Sequence, residues 1–254
     1  MTVSSRRPAV FPDLLAGLVA ADAGRPLVTW YAHDDSGVTS ERVELSVVTY
    51  ANWVAKTAGL LTDALDLERG DTLLVDLPTH WLAPVAWGAA WSAGLVVAQP
   101  GDAAAAAADA VLCGPASLER WAPEADDRVV VAAALTPLAR PFPAGVPSGV
   151  HDLGVEVWGQ PDGYVALDPP TADDAALPDV SQAELLGGTP GSVASPGGRV
   201  LLTGLAERAA LRRTVAVLAA GGSVVLVDDD APLAPWWDER RAVIERDERI
   251  SPAT

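Results

Sequence analysis

Residues Glu44–Gln99, ELSVVTYANWVAKTAGLLTDALDLERGDTLLVDLPTHWLAPVAWGAAWSAGLVVAQ, decide the fold class of this chain. Apolar Trp53, Leu60, Leu61 and Leu65 share a broad face of a helix predicted over Thr49–Leu65, and Asn52, Lys56 and Asp63 lie away from it. Gly70-Asp71 then marks a turn into a strand predicted over Thr72–Leu77. A helix over Leu82–Ser92 follows, closed by Gly94 where a positive φ suits glycine, and Leu95–Ala98 reads as the next strand.

The same alternation continues on both sides. Upstream lie a helix over Pro12–Ala23 and a strand over Leu27–Tyr31. Downstream, strands are predicted at Ala110–Leu112, Arg128–Val131, Arg199–Leu202 and Ser223–Val227. Helices are predicted at Ser117–Trp121, Ser181–Leu186, Leu205–Ala219 and Trp236–Arg246. Strand–helix–strand order implies an α/β fold with mainly parallel sheets and helices on both faces. The 254 residues read as one unit, with lobes at about 1–165 and 166–254 as the alternative. The Pro-rich stretches 136–149 and 168–180 are the candidate boundaries.

Composition narrows the function classes. A formal net charge of −17 argues against nucleic-acid binding, which depends on clustered cations. Cys113 is the one cysteine, so an intrachain disulfide and a cysteine-rich zinc site are both ruled out. No apolar run reaches membrane-spanning length, and the first residues lack a secretory pattern, so the expected location is cytoplasmic.

Two segments carry a family resemblance. Leu45-Ser46, Gly70-Asp71, Leu73–Pro78 and Ala93-Gly94-Leu95-Val96-Val97 resemble the start of the adenylate-forming superfamily, which includes acyl-CoA synthetases and peptide-synthetase adenylation domains. Gly198–Asp228, GRVLLTGLAERAALRRTVAVLAAGGSVVLVD, is similar to a later strand–helix–strand unit of that family. Arg241–Ser251 resembles the helix after that unit and its approach to another strand. The match covers about the first half of a typical catalytic unit. It implies the fold of the family's N-terminal subdomains in a short relative.

That resemblance also implies a nucleotide cradle, in the family a loop rich in Ser, Thr and Gly that ends near Pro-Lys-Gly. Its best match here is the apolar stretch Tyr164–Leu167, read as a strand, followed by DPPTADDAALPDV over 168–180. This loop has no Gly, Ser or Lys, carries Asp168, Asp173, Asp174 and Asp179, and loses backbone donors at its prolines. Gly187–Gly198 is the alternative cradle, but it also lacks Lys and reads better as a connector. The His or aromatic residue that in the family helps position the acyl substrate is matched here by Thr203–Glu207, which has no His. The family's Tyr-Gly-Thr-Glu site, ribose-binding Asp and C-terminal lysine are not found either. Lys56, the single lysine, is expected on a solvated face.

No catalytic residue and no cofactor or metal is therefore expected, and ATP binding is disfavoured. Asp173-Asp174 and Asp228-Asp229-Asp230 lack calcium-loop spacing. His33, His80 and His151 form no zinc pattern. Thr79 and His80 remain ligand-binding candidates because they follow a predicted strand, and ligands favour strand C-termini in parallel sheets. His80 itself is expected at the surface beside a packed Trp81.

The expected function is a non-catalytic, partner-binding relative of the adenylating enzymes. An exposed sheet edge near Ser223–Val227 would pair in a homodimer or with another protein, with Val225, Trp236 and Trp237 as interface candidates. The rivals are a ligand-binding protein or enzyme with a rebuilt pocket, and half of an adenylating enzyme completed in trans.

Overall fold

The computed structural model describes residues 8–187 and 196–251. The first elements among the described residues are helix α1 (Phe11–Asp22) and the hairpin β1 (Pro26–His33) and β2 (Thr39–Ser46). Helix α2 (Val47–Gly59) follows directly, because the Ser46 hydroxyl accepts the Thr49 amide at 3.2 Å and caps the first turn. It runs on as one π-helical turn, Leu60–Ala64, in which the Leu65 amide reaches back to the Leu60 carbonyl.

Next come β3 (Thr72–Asp76), α3 (Leu82–Ala93), β4 (Val96–Ala98), β5 (Ala110–Cys113), α4 (Leu118–Trp121), β6 (Val129–Ala132), β7 (His151–Asp152) and α5 (Leu153–Glu156). The hairpin β8 (Ala175–Leu177) and β9 (Val180–Ser181) leads into α6 (Gln182–Gly187). The described chain closes with β10 (Arg199–Leu202), α7 (Arg208–Ala219), β11 (Ser223–Val227) and α8 (Trp237–Asp247).

These strands form two main sheets. One has the order β10-β11-β1-β2, parallel except for the antiparallel β1–β2 pair. The other, β4-β3-β5-β6-β7, is parallel throughout. Helix α2 packs on β1, β2 and α3, while α3 packs on β3 and β4, so the two helices join the sheets. Every residue of α3 is buried, which explains a helix that is apolar on all sides. Gly88 allows that closeness: a Cβ there would come within 2.7 Å of the Tyr50 hydroxyl and 2.9 Å of Phe11 and Val54.

Several expectations change. Segments 26–46 and 199–227 share one sheet, so the sheets do not divide the chain at residue 165. Strand β11 is no edge. It lies between β10 and β1 with all five residues buried, and the edges of this sheet are β10 and β2. β10 is also covered at Arg199, whose backbone exchanges hydrogen bonds with Ser251 at 2.8 and 3.0 Å. Tyr164–Leu167 forms no strand, and Val165 and Leu167 are exposed. Within 168–180, residues 175–177 are strand instead of loop.

Candidate functional site

The C-terminal ends of β3, β10 and β11 converge on one corner, where a parallel α/β fold places its ligands. Thr79 lies just beyond β3, Gly204 and Leu205 beyond β10, and Asp229 beyond β11. The Thr79 amide donates to Asp229 Oδ2 at 2.8 Å, and its hydroxyl donates to Asp229 Oδ1. Asp229 Oδ1 also accepts the Gly204 amide at 3.1 Å. The Leu205 amide donates to Thr79 Oγ1 at 2.8 Å, and Trp30 Nε1 donates to the Thr79 carbonyl at 2.9 Å. Gln99 completes the corner by donating to the Leu205 carbonyl at 2.8 Å.

Thr79 is thus consumed by internal bonds, whereas His80 is bonded through Nδ1 alone and its buried Nε2 meets no hydrogen-bond partner among the described residues. Thr79 and His80 are each only 2% exposed, so His80 is a core residue and not the surface histidine expected. Its Nδ1 accepts the Leu82 amide at 3.2 Å, and its ring lies 4.3 Å from the Trp30 ring and 5.4 Å from that of Trp81. Burial pushes its pKa down to about 3, which keeps the ring neutral at physiological pH. Nothing in the local sequence reveals this, because the wall that buries His80 comes from Trp30, distant in the chain.

A second histidine, His33, closes β1 in the four-stranded sheet. The ring of His33 lies between those of Tyr31 and Trp236, and its amide donates to Asp228 Oδ2 at 2.7 Å. Burial lowers its pKa also. Trp236 closes over Gly37, and its Nε1 donates to the Asp35 carbonyl at 3.1 Å. Trp237, the first residue of α8, is buried in one cluster with Val225, and Val225 lies wholly inside the sheet. Of the three residues named for an interface, only Trp236 is part exposed.

The acidic loop has a structural use that its composition did not disclose. Arg69 holds Asp174 through two bonds of 2.8 and 2.7 Å and Asp168 at 3.0 Å. Those hydrogen bonds pull the Asp174 carboxyl down to about 2. Asp179 pairs with Arg208. From Leu177 to Val180 the chain makes a two-residue turn, Pro178-Asp179. Lys56 is no solvated lysine either: it donates to the Gln160 carbonyl at 2.5 Å and pairs with Asp162 at 3.0 Å. The alternative cradle, Gly187–Gly198, lies largely outside the described residues. Among the described residues, no group of three or more His, Cys, Asp and Glu side chains is arranged to hold a metal. No described helix is long and apolar enough to cross a membrane.

Open space lies elsewhere. A groove of about 550 Å³ runs between α1, α2 and the strap 162–170, and a smaller hollow of about 360 Å³ adjoins it beside the π-helical turn. Sequence reading missed the groove because its walls are ordinary Ala, Val and Pro positions.

No protein-family model matches the chain. A TIGR03089 family protein of Mycobacterium tuberculosis (strain ATCC 25618 / H37Rv) is 35% identical over 147 residues, which is 57% of this chain and 57% of that protein. Among solved structures, a variant of coronafacic acid ligase from Pectobacterium brasiliense superposes with a TM-score of 0.70 at 14% identity, over 95% of this chain and 49% of that one. A fatty acyl-adenylate ligase from a study of the E. coli and L. pneumophila enzymes gives 0.64 at 19% identity, over 94% of this chain and 44% of the ligase. The chain thus spans little more than half the length of its curated relative and about half that of these structures. It has the α/β fold of the adenylate-forming ligases.

Proposed function

We propose that this chain is a non-catalytic binding module on the adenylate-forming fold, acting through a protein partner instead of through nucleotide chemistry. The observation that supports this most is the closed corner at the strand ends. Adenylation needs donors and cations free to meet a triphosphate. Here the Thr79 amide and hydroxyl, and the Gly204 amide, are all committed to one carboxylate, Asp229. Leu205, which is 1% exposed, fills the space beside them.

The stretch that the family resemblance aligns with a phosphate loop supports the same reading. It turns in two residues between β8 and β9, and arginines already neutralise its Asp168, Asp174 and Asp179 carboxylates. A phosphate brought there would have to displace those ion pairs and meet the freed carboxylates.

Calorimetric titration with Mg-ATP, and separately with AMP, tests the proposal. No saturable heat is expected at millimolar nucleotide. Saturable binding of either nucleotide would overturn it.

A further inference from the structure

Helix α1 carries two apolar stripes, and the core uses only one. Phe11, Leu14 and Leu18 are buried. Leu15, Ala16, Val19 and Ala20, at helical spacings of one, three and four, face the groove instead. Ala51 and Ala55 of α2 form its floor. The opposite wall is the strap 162–170, tied at its two ends by the Lys56–Asp162 and Arg69–Asp168 ion pairs. Between those ties Val165 is 90% exposed and Leu167 fully exposed, so the apolar surface extends over the lip. Two helices and a strap thus make an open trough with an apolar floor, the shape that receives the apolar face of an added helix.

Charge selects the occupant. Asp13 stands three and seven positions from Ala16 and Ala20, and Asp22 stands seven and three from Leu15 and Val19. Each carboxylate therefore flanks one side of the stripe. Neither forms an ion pair among the described residues, and Asp22 only accepts the Gly24 amide. The whole chain carries −17, which opposes a second copy of itself and attracts a cationic partner.

Resting on the partner-module reading above, we propose that this groove docks an amphipathic helix of another protein, with leucine-like residues on its apolar face and Lys or Arg on its flanks. Apolar side chains would enter between α1 and the strap, and the flanking cations would meet Asp13 and Asp22.

The test titrates a fluorescently labelled 18-residue Leu/Lys amphipathic peptide into the full chain by anisotropy. Its Leu/Glu counterpart serves as the control. The expected result is micromolar binding of the Leu/Lys peptide alone, weakened at least tenfold in Ala16→Trp and Ala20→Trp. Both alanines are exposed, so the indoles fill the groove without changing the charge or the core, and circular dichroism checks the fold. Asp13→Asn/Asp22→Asn should weaken binding several-fold in low salt. Equal binding to the groove-filled variants would reveal general surface attraction and overturn the proposal, as would no binding. So would a dimer in light scattering that Ala16→Trp abolishes, or Nile red held in the groove and not displaced by peptide. Failure of the peptide leaves the Mg-ATP result untouched, and nucleotide binding would leave the peptide result standing.

Discussion

Thr79 and Asp229 are bonded twice across 150 positions of sequence, the amide and hydroxyl of one meeting the two carboxylate oxygens of the other. This contact fastens the end of β3 in the five-stranded sheet to the end of β11 in the four-stranded one. Asp229→Ala strands the two part-buried donors of Thr79 and frees the more exposed Gly204 amide, and a loss of about 2–3 kcal/mol is expected. Thr79→Val removes only the hydroxyl and should cost about 1–2 kcal/mol. Urea denaturation of the two single variants and the double variant should show coupling of about 1 kcal/mol or more; additive losses would mean the contact is not made.

His80 should make the protein acid-sensitive well above carboxylate pKa values. Its folded pKa, about 3, lies below the unfolded value of about 6.5. The unfolded chain therefore binds the extra proton, and stability that is complete above pH 6.5 is lost as pH falls towards 3. The expected slope from this residue approaches 1.4 kcal/mol per pH unit, or about 2 kcal/mol by pH 5. His33, shifted the same way, adds to it. His80→Asn, which retains an acceptor for the Leu82 amide, should flatten the decline between pH 7 and 5. An unchanged pH profile in that variant would place the titration elsewhere.

Gly37 has φ of +81°, and a Cβ added to it would come within 2.6 Å of the Trp236 ring. Gly37→Ala should therefore destabilise by about 2 kcal/mol and shift the tryptophan emission as Trp236 is lifted from the hairpin. A stability within about 0.5 kcal/mol of wild type would show that Trp236 does not close over the turn.

Arg69 ties the C-terminal part of the strap. Arg69→Gln removes its bonds to Asp168 and Asp174 and should raise the rate of proteolytic cleavage within 162–174 several-fold, with little change elsewhere. Because arginine holds the Asp174 carboxyl near pKa 2, the tie is present above the unfolded value near 4 and is lost as pH falls through 2. Cleavage of the strap should stay constant from pH 7 to 5; a rise there would mean that another group controls it.

These features differ in how plainly the sequence announces them. The helix and strand periods of residues 44–99 reproduce β3, α3 and β4 within a residue or two, because each element buries a face that neighbouring residues specify. Strand β2, TSERVELS, escaped because an edge strand carries charges, and only Leu45 is fully buried. The β8–β9 hairpin hid inside a proline-rich stretch whose composition reads as loop. The candidate corner was half legible: strand order pointed to Thr79 and His80, but their bonding to Asp229 and packing on Trp30 depend on contacts no local pattern encodes. The position of β11 was misread for a related reason. Its edge or centre is settled by β1, some two hundred residues upstream by sequence.

Amide hydrogen exchange at Thr79 and Leu205, measured with and without millimolar Mg-ATP, tests the closed corner most directly. If Asp229 and Thr79 Oγ1 hold these amides, both should exchange only through global unfolding, at rates that nucleotide leaves unchanged. Rapid exchange that Mg-ATP suppresses would contradict the closed corner and return nucleotide binding to this chain.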